Sequence, residues 1–389
     1  MTHFDALETR SSDERAAAQL AALNALLPEQ GHAALDDLSG LAALPVLRKS
    51  DLVQRQTENP PFGGLPVRNA AHVFQSPGPI YEPGGITADW WRMGRFLHAC
   101  GIGPEDIVQN CFGYHLTPAG MIFESGARAV GAAVLPAGTG QTELQARAAH
   151  DIGITAYAGT PDYLKVILEK ADEMGLTLKV TRAAVGGGAL FPSLRDWYTE
   201  RGIACLQCYA TADLGNIAYE SSAMEGMILD EHVIVEIVTP GTGDPVSAGE
   251  VGEVVVTSLN PDYPLIRFAT GDMSAVMAGT SPCGRTNTRI KGWMGRADQT
   301  TKIKGMFVRP EQVADLVARH PEVARARVVA TREGEADVMT VRLETEAQDA
   351  APFEASVAEV LKLRGMVELV APGALPRDGL VIEDARSYD

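Results

Sequence analysis

The sequence predicts an α/β protein built as a large and a small domain, and three observations lead there. At 389 residues the chain exceeds the size at which one hydrophobic core usually stops growing. Its 39 glycines and 23 prolines imply many tight connections. From residue 106 to 210, apolar strand-like runs alternate with helical ones, as in a parallel sheet with crossover helices. That pattern gives way to period-two β-runs at 227–278, an antiparallel subdomain, and then to a β/α mixture at 298–389.

Composition narrows the function. The 46% hydrophobic and 21% charged content is ordinary for a globular protein. A formal net charge of −17 makes nucleic acid a poor partner, since binding there rests on broad phosphate neutralisation. The N-terminus MTHFDALETRSSDER carries acids and no apolar core, and no later run approaches the roughly 18 apolar residues of a membrane span. A cytoplasmic protein with no membrane partner is expected. Five cysteines, an odd number without a framework, read as reduced thiols. Cys205 and Cys208 form a C-x-x-C inside IACLQCYA, whose apolar surroundings suggest a buried strand.

Residues 11–27 read as an amphipathic helix, with SSDE supplying a cap and early acids. The stretch 75–85, QSPGPIYEPGG, reads as a turn-rich loop whose glycines would let backbone N–H groups approach a phosphate. A helix is expected at about 88–100, then strand, loop, helix and strand through 106–140. In the loop, Phe112 is expected in the core. Tyr114 and His115 could wall a flat pocket. A strand at 153–158, a helix at 161–174 and a strand at 183–185 lead to Gly186-Gly187-Gly188-Ala189, where backbone could lie flat against a purine. A helix from 193 and a strand at 203–209 then lead to Tyr209-Ala210-Thr211-Ala212-Asp213. Beyond the β-runs come helices at 310–320 and 352–363, with strands at 324–330, 338–343 and 366–370.

The charge pattern inverts locally. Between residues 285 and 309 lie Arg285, Arg289, Lys291, Arg296, Lys302, Lys304 and Arg309 against one acid, Asp298, which asks for a local anion. Just before them, Thr270, Gly271 and Asp272 put a carboxylate on a glycine turn, suited to accept hydrogen bonds from vicinal hydroxyls such as those of ribose. Together they suggest a phosphorylated nucleotide.

The runs RFATGD and GRADQTTKIKG resemble two core motifs of the adenylate-forming superfamily. The wording GRTNTRIKGWMGRADQ, followed by KGMFVRPEQV, is similar to its phenylacetate-coenzyme A ligase branch, and the likeness runs from about residue 70 to the end. The resemblance implies a large multi-subdomain N-terminal AMP-binding domain, 1–297, with parallel sheets and an antiparallel β subdomain. It also implies a small α+β C-terminal lid, 298–389, turning about Asp298. The implied activity is an AMP-forming carboxylate–coenzyme A ligase: ATP converts an acid, by family likeness an aryl or arylacetic one, to an acyl-adenylate, and coenzyme A displaces AMP. ATP, magnesium, coenzyme A and a second copy of the chain are the implied partners.

The same resemblance assigns roles. Ser76 and Gly78 would belong to the phosphate loop, Gly187, Gly188 and Ala189 to the adenine loop, and Tyr114, His115 and Gly186 to the acyl pocket. Tyr209, Ala210 and Thr211 would meet the nucleotide, with Asp213 standing in for a magnesium-binding glutamate; an N-capping Asp is the alternative. Asp272 would bind ribose and Arg296 the ribose or phosphate side. Lys302, Lys304 and Gly305 would meet coenzyme A, unless the two lysines form only a solvated face. His232 and Cys283 fall near where some relatives hold a structural zinc, but Ser281 stands where a second cysteine would be needed, and zinc is not expected.

Two departures stand out. The 75–85 loop lacks threonines and lysine, and Leu380 occupies the place of the lysine that serves adenylation. Losing one preorganised donor costs roughly 2.7–4 kcal/mol of transition-state stabilisation. Three readings therefore stay open: a working ligase, an adenylating enzyme serving a carrier protein, and a nucleotide- or adenylate-binding homologue without full activity.

Overall fold

The computed structural model describes residues 3–76, 79–297, 301–304, 306–333, 336–376 and 380–386. They fall into two compact units, 1–270 with 275–292, and 271–274 with 293–389.

In the first unit, α1 (Ser12–Leu26) opens on a complete capping box: Ser11 Oγ accepts from Glu14 N at 3.2 Å while Glu14 Oε2 accepts from Ser11 N at 2.9 Å. A short strand β1 (Leu47–Arg48) runs directly into α2 (Lys49–Glu58), which the sequence reading did not anticipate. The stretch read as a loop at 75–85 is largely a hairpin, β2 (His72–Ser76) against β3 (Ile80–Gly84). The helix expected at 88–100 is confined to α3 (Gly94–Ala99), because Asp89 (φ 53) and Arg92 (φ 62) adopt left-handed backbone before it. Asp89 then accepts from Gly94 N with both carboxylate oxygens, at 3.0 and 2.9 Å.

Strand–helix units follow in order: β4 (Ile107–Asn110), α4 (Ala119–Ala129), β5 (Ala133–Pro136), α5 (Thr142–Ile152), β6 (Ala156–Gly159), α6 (Pro161–Glu173), β7 (Arg182–Val185), α7 (Pro192–Glu200) and β8 (Ala204–Thr211). β9 (Gly215–Tyr219), β10 (Met227–Leu229), β11 (Val233–Val238), β12 (Gly252–Ser258), β13 (Phe268–Ser274), β14 (Val276–Met277) and β15 (Arg289–Ile290) complete the β-rich part. Nine strands form one sheet in the order β14-β15-β10-β9-β8-β7-β6-β4-β5. It is parallel from β5 to β8, where helices supply the crossovers, and antiparallel from β8 to β14. Phe112 stacks on Phe123 at 4.2 Å in the core, as its sequence context suggested. Burying each such side chain contributes about 1.5–3 kcal/mol. A second sheet, β1-β13-β12-β11, carries the chain toward residue 270.

In the second unit, β16 (Thr301–Ile303) and β17 (Met306–Val308) form a hairpin. α8 (Pro310–Arg319), β18 (Arg325–Glu333), β19 (Ala336–Glu344), α9 (Ala351–Leu361), β20 (Met366–Val370) and β21 (Ile382–Asp384) follow. The sheet β20-β19-β18-β21 packs its apolar face with Val313, Leu316, Phe353 and Val357 of the two helices. Among the described residues, no helix is long and apolar enough to cross a membrane.

Candidate functional site

At the carboxyl end of β7 the three glycines turn away from the sheet. Gly186 N donates to Gly159 O at 3.2 Å, and a Cβ on Gly186 would sit 3.0 Å from Cys208 Sγ. Gly187 has φ +68, so a side chain there would be strained. Gly187, Gly188 and Ala189 are exposed, leaving an open backbone shelf beside the parallel strands.

The neighbouring β8 runs further than predicted, past Tyr209 to take in Ala210 and Thr211, with a register shift between Tyr209 and Ala210. Tyr209 is buried, and its hydroxyl lies 3.0 Å from Thr270 Oγ1, which donates to Val254 O at 3.1 Å. Thr211 Oγ1 accepts from Leu214 N at 3.2 Å and closes the turn into β9. Asp213 lies in that turn between two strands, so it caps no helix.

Asp213 is at the centre of a small polar cluster. Its side chain is 0% exposed; Oδ2 receives Lys49 Nζ at 2.5 Å, and Oδ1 has no hydrogen-bond partner among the described residues. Glu82, from β3, is fully buried nearby with neither carboxylate oxygen hydrogen-bonded among the described residues. Burial first, then the charge of Asp213, push the Glu82 carboxyl up to about 7; Ser76 pulls it back without completing hydrogen-bond geometry. The Tyr263 hydroxyl is likewise buried and unpartnered among the described residues. A buried carboxylate with an uncommitted oxygen suits magnesium, a hard ion that takes carboxylate and phosphate oxygens. Asp213 is therefore a fitting ligand.

On the acyl side, Tyr114 is half-buried and its hydroxyl accepts from Asn110 Nδ2 at 2.8 Å. His115 is exposed, so core packing does not explain it. Ser76 is buried at the end of β2, while Gly78 lies outside the described residues.

In the second unit, Asp272 Oδ1 accepts from Trp293 Nε1 at 3.0 Å and from Arg296 Nη1 at 3.3 Å, and the two chain segments also form a β-bridge at Asp272 and Arg296. Gly271, at φ +76, makes this approach possible, since a Cβ there would fall 2.8 Å from Arg296 Nη2. The carboxylate is thus oriented by an indole and a guanidinium. Lys304 is exposed at the turn of the β16–β17 hairpin, with φ 47, and its N–H donates to Asp337 Oδ2 at 2.9 Å. Leu380 is 39% exposed. Asp298, Gly305 and the side chain of Lys302 lie outside the described residues.

The basic run does not act as one anion site. Arg285 is buried 3.1 Å from Glu8 Oε1, and Arg289 is buried against Glu225 at 3.3 Å while donating to Glu225 O and Ala278 O. Their charges are spent inside the fold, a correction to the sequence reading, in which partners distant in the chain were invisible. Cys283 sits beside Ser281 Oγ at 3.1 Å and Arg285 Nη1 at 3.6 Å. Burial pushes its thiol up, but hydrogen bonds from Ser221, Ser281 and Arg285 outweigh this and bring it down to about 7. His232 is half-exposed, 3.8 Å from Asp230. Among the described residues no three His, Cys, Asp or Glu side chains converge as metal ligands. Cys205 and Cys208 are buried free thiols. A cavity of about 620 Å³ lined by Cys100, Arg195, Ile203, Cys205 and Met224 lies by the start of β8 and includes none of the site residues.

Sequence reasoning missed Lys49, Glu82 and Trp293. Only Trp293 carried a signal, lying three residues before Arg296.

No family model matches the chain. It is 29% identical over 326 residues to a phenylacetate-coenzyme A ligase of Thermus thermophilus, covering 79% of this chain and 72% of that one. A phenylacetate-coenzyme A ligase of Aromatoleum evansii is 29% identical over 329 residues, with 80% and 73% covered. Among solved structures, a 2-hydroxyisobutyryl-CoA ligase in the postadenylation state with 2-HIB-AMP superposes with a TM-score of 0.78 at 25% identity, over 97% of this chain and 91% of that one. An amide bond synthetase of Marinactinospora thermotolerans shares the fold more loosely, at TM-score 0.59, 20% identity and 81% and 68% coverage. The fold is that of the adenylate-forming enzymes. Within that class, the sequence is similar to phenylacetate-coenzyme A ligases over about four fifths of its length.

Proposed function

We propose that the protein is an ATP-dependent, AMP-forming ligase that activates a carboxylic acid and transfers the acyl group to coenzyme A. A carboxylate oxygen attacks the α-phosphorus of ATP, pyrophosphate leaves, and the coenzyme A thiol then attacks the acyl carbon and expels AMP. Neither step needs a protein nucleophile, so catalysis rests on positioning and on stabilising charge at phosphorus.

The shelf at 187–189 would take adenine, with Tyr209 beside it and Ala210 and Thr211 lining the nucleotide. Asp272 would accept from the ribose hydroxyls, with Arg296 on the ribose or phosphate side. Asp213 would hold magnesium, which when bound neutralises phosphate charge. Tyr114, His115 and Gly186 would contact the acid, which family likeness makes an aryl or arylacetic one. Lys304, with Lys302 and Gly305, would meet coenzyme A on a lid, residues 298–389, turning about Asp298. A cytoplasmic homodimer fits this reading. The observation that carries it is the oriented Asp272 carboxylate, held by Trp293 and Arg296 beside Gly271 of β13, where φ +76 would strain a side chain.

Leu380 favours a second reading, a homologue confined to adenylate binding or to thioester formation, because a half-exposed leucine offers phosphate neither charge nor hydrogen bond. Pyrophosphate release with magnesium-ATP over a panel of aryl and short aliphatic acids separates the two, run on the native chain and on Leu380→Lys. Release by the native chain is the expected result, with Leu380→Lys faster by roughly 10²–10³ where the missing lysine limits adenylation. Release only from Leu380→Lys would establish the second reading, and none from either would overturn the ligase.

A further inference from the structure

The nucleotide chemistry proposed above needs a cation at the phosphates, and the two places expected to supply one do not. The stretch 75–85 contains no Lys or Arg, and residue 380 is leucine. The structure brings a cation from elsewhere. Lys49 opens α2, 164 residues from Asp213 in the chain, and its Nζ lies 2.5 Å from Asp213 Oδ2.

Three anchors hold it there. β1 pairs in parallel with β13, Arg48 opposite Ala269, which sets Lys49 at the register of the strand leading to Thr270. Leu52, 0% exposed, seats α2 in the core. Gln56 exchanges two 2.8 Å hydrogen bonds with the backbone of Tyr81, tying α2 to the hairpin that carries Ser76 and Glu82. The ten-residue helix also has no side-chain cap at Arg48, so its first N–H groups and the positive end of its dipole lie beside Lys49. Two buried carboxylates with uncommitted oxygens lie here, Asp213 paired with this ammonium and Glu82 feeling its charge.

We infer that Lys49 is the polyphosphate-binding cation of this site, passing its ammonium from the Asp213 carboxylate to phosphate oxygens of ATP and leaving that carboxylate to a divalent ion. The Lys49 side chain is 30% exposed on a flexible stem, whereas Asp213 is fully enclosed, so the lysine is the member of the pair able to move. This inference rests on the ligase reading.

The test is calorimetric titration of ATP, AMP and adenosine, with magnesium, into the native protein, Lys49→Gln and Lys49→Arg. Gln can still donate to Asp213 but carries no charge. Lys49→Gln should weaken ATP roughly 10- to 100-fold, the worth of one charged hydrogen bond, while adenosine changes less than about twofold and AMP falls between. Lys49→Arg should recover most of the ATP affinity. If Lys49→Gln folds poorly, the comparison is repeated in an Asp213→Ala background, where the carboxylate paired with the lysine is gone, with the same ordering expected. ATP binding indifferent to Lys49, or equal losses for all three ligands, would overturn the inference and leave the ligase reading standing. A native protein that binds none of the three overturns both.

Discussion

Two clusters of buried charge in the first unit invite comparison. Around Glu8 both carboxylate oxygens are committed: Oε1 accepts from Tyr219 Oη at 2.8 Å, Oε2 from Phe4 N at 2.9 Å, with Arg285 Nε 3.1 Å from Oε1, and Arg95 is chelated by Asp5 at 2.8 and 2.5 Å. Around Asp213 one lysine answers one carboxylate oxygen, and three carboxylate oxygens of Asp213 and Glu82 are left without partners among the described residues. A carboxylate with both oxygens committed can do little but hold the chain together, since any new ligand must displace a partner already in place. An unsaturated one costs stability unless something arrives to complete it. On the ligase reading, the difference assigns the first carboxylate to structure and the second cluster to substrate and metal.

The comparison is broken most directly by Glu8→Ala. It leaves Arg285 uncompensated in the interior and should cost about 3–5 kcal/mol, read as a lower denaturation midpoint with an unchanged slope. Lys49→Gln should cost less than half as much. Equal losses would mean that the Lys49 pair is as structural as Glu8 and that satisfaction does not separate the two clusters.

Both clusters were hidden in the sequence for one reason: their members converge from distant segments. Period and alternation revealed the parallel strands and most helices because those signals are local; α3 was overextended because left-handed residues at Asp89 and Arg92 leave no mark in hydropathy. Asp272 and Arg296 were each singled out because each lies in a contiguous motif, while their pairing with one another was not foreseen. Arg285 looked like an anion site because a charge count cannot see Glu8, and Lys49 looked like nothing because its neighbours along the chain, Arg48 and Ser50, say nothing of Asp213.

Between the extremes lies Asp89, whose carboxylate is satisfied by Gly94 yet crowded by Asp230. Burial, then that neighbouring charge, raise its pKa to about 6. The folded state therefore holds this proton more tightly than the unfolded chain, so stability should fall as pH rises from about 4 through about 6, by up to about 3 kcal/mol. Asn at 89 cannot ionise. Urea midpoints measured across that window should slope less for Asp89→Asn than for the native protein, and an unchanged slope would assign the effect to another group.

The smallest effect sharpens the contrast within the candidate site itself. Tyr209 is its saturated member, its hydroxyl committed to Thr270 and Thr270 in turn to Val254. Thr270→Val keeps the shape and removes both hydrogen bonds, and should cost about 1 kcal/mol, with Thr270→Ser recovering most of it. If Tyr209 serves the nucleotide by holding a fixed wall rather than by donating to it, the AMP affinity of Thr270→Val should drop only by the few-fold that a loosened ring implies. A loss as large as that of ATP in Lys49→Gln would mean that the Tyr209 hydroxyl is itself part of the binding chemistry, and that satisfaction inside the fold is compatible with a direct role in the site.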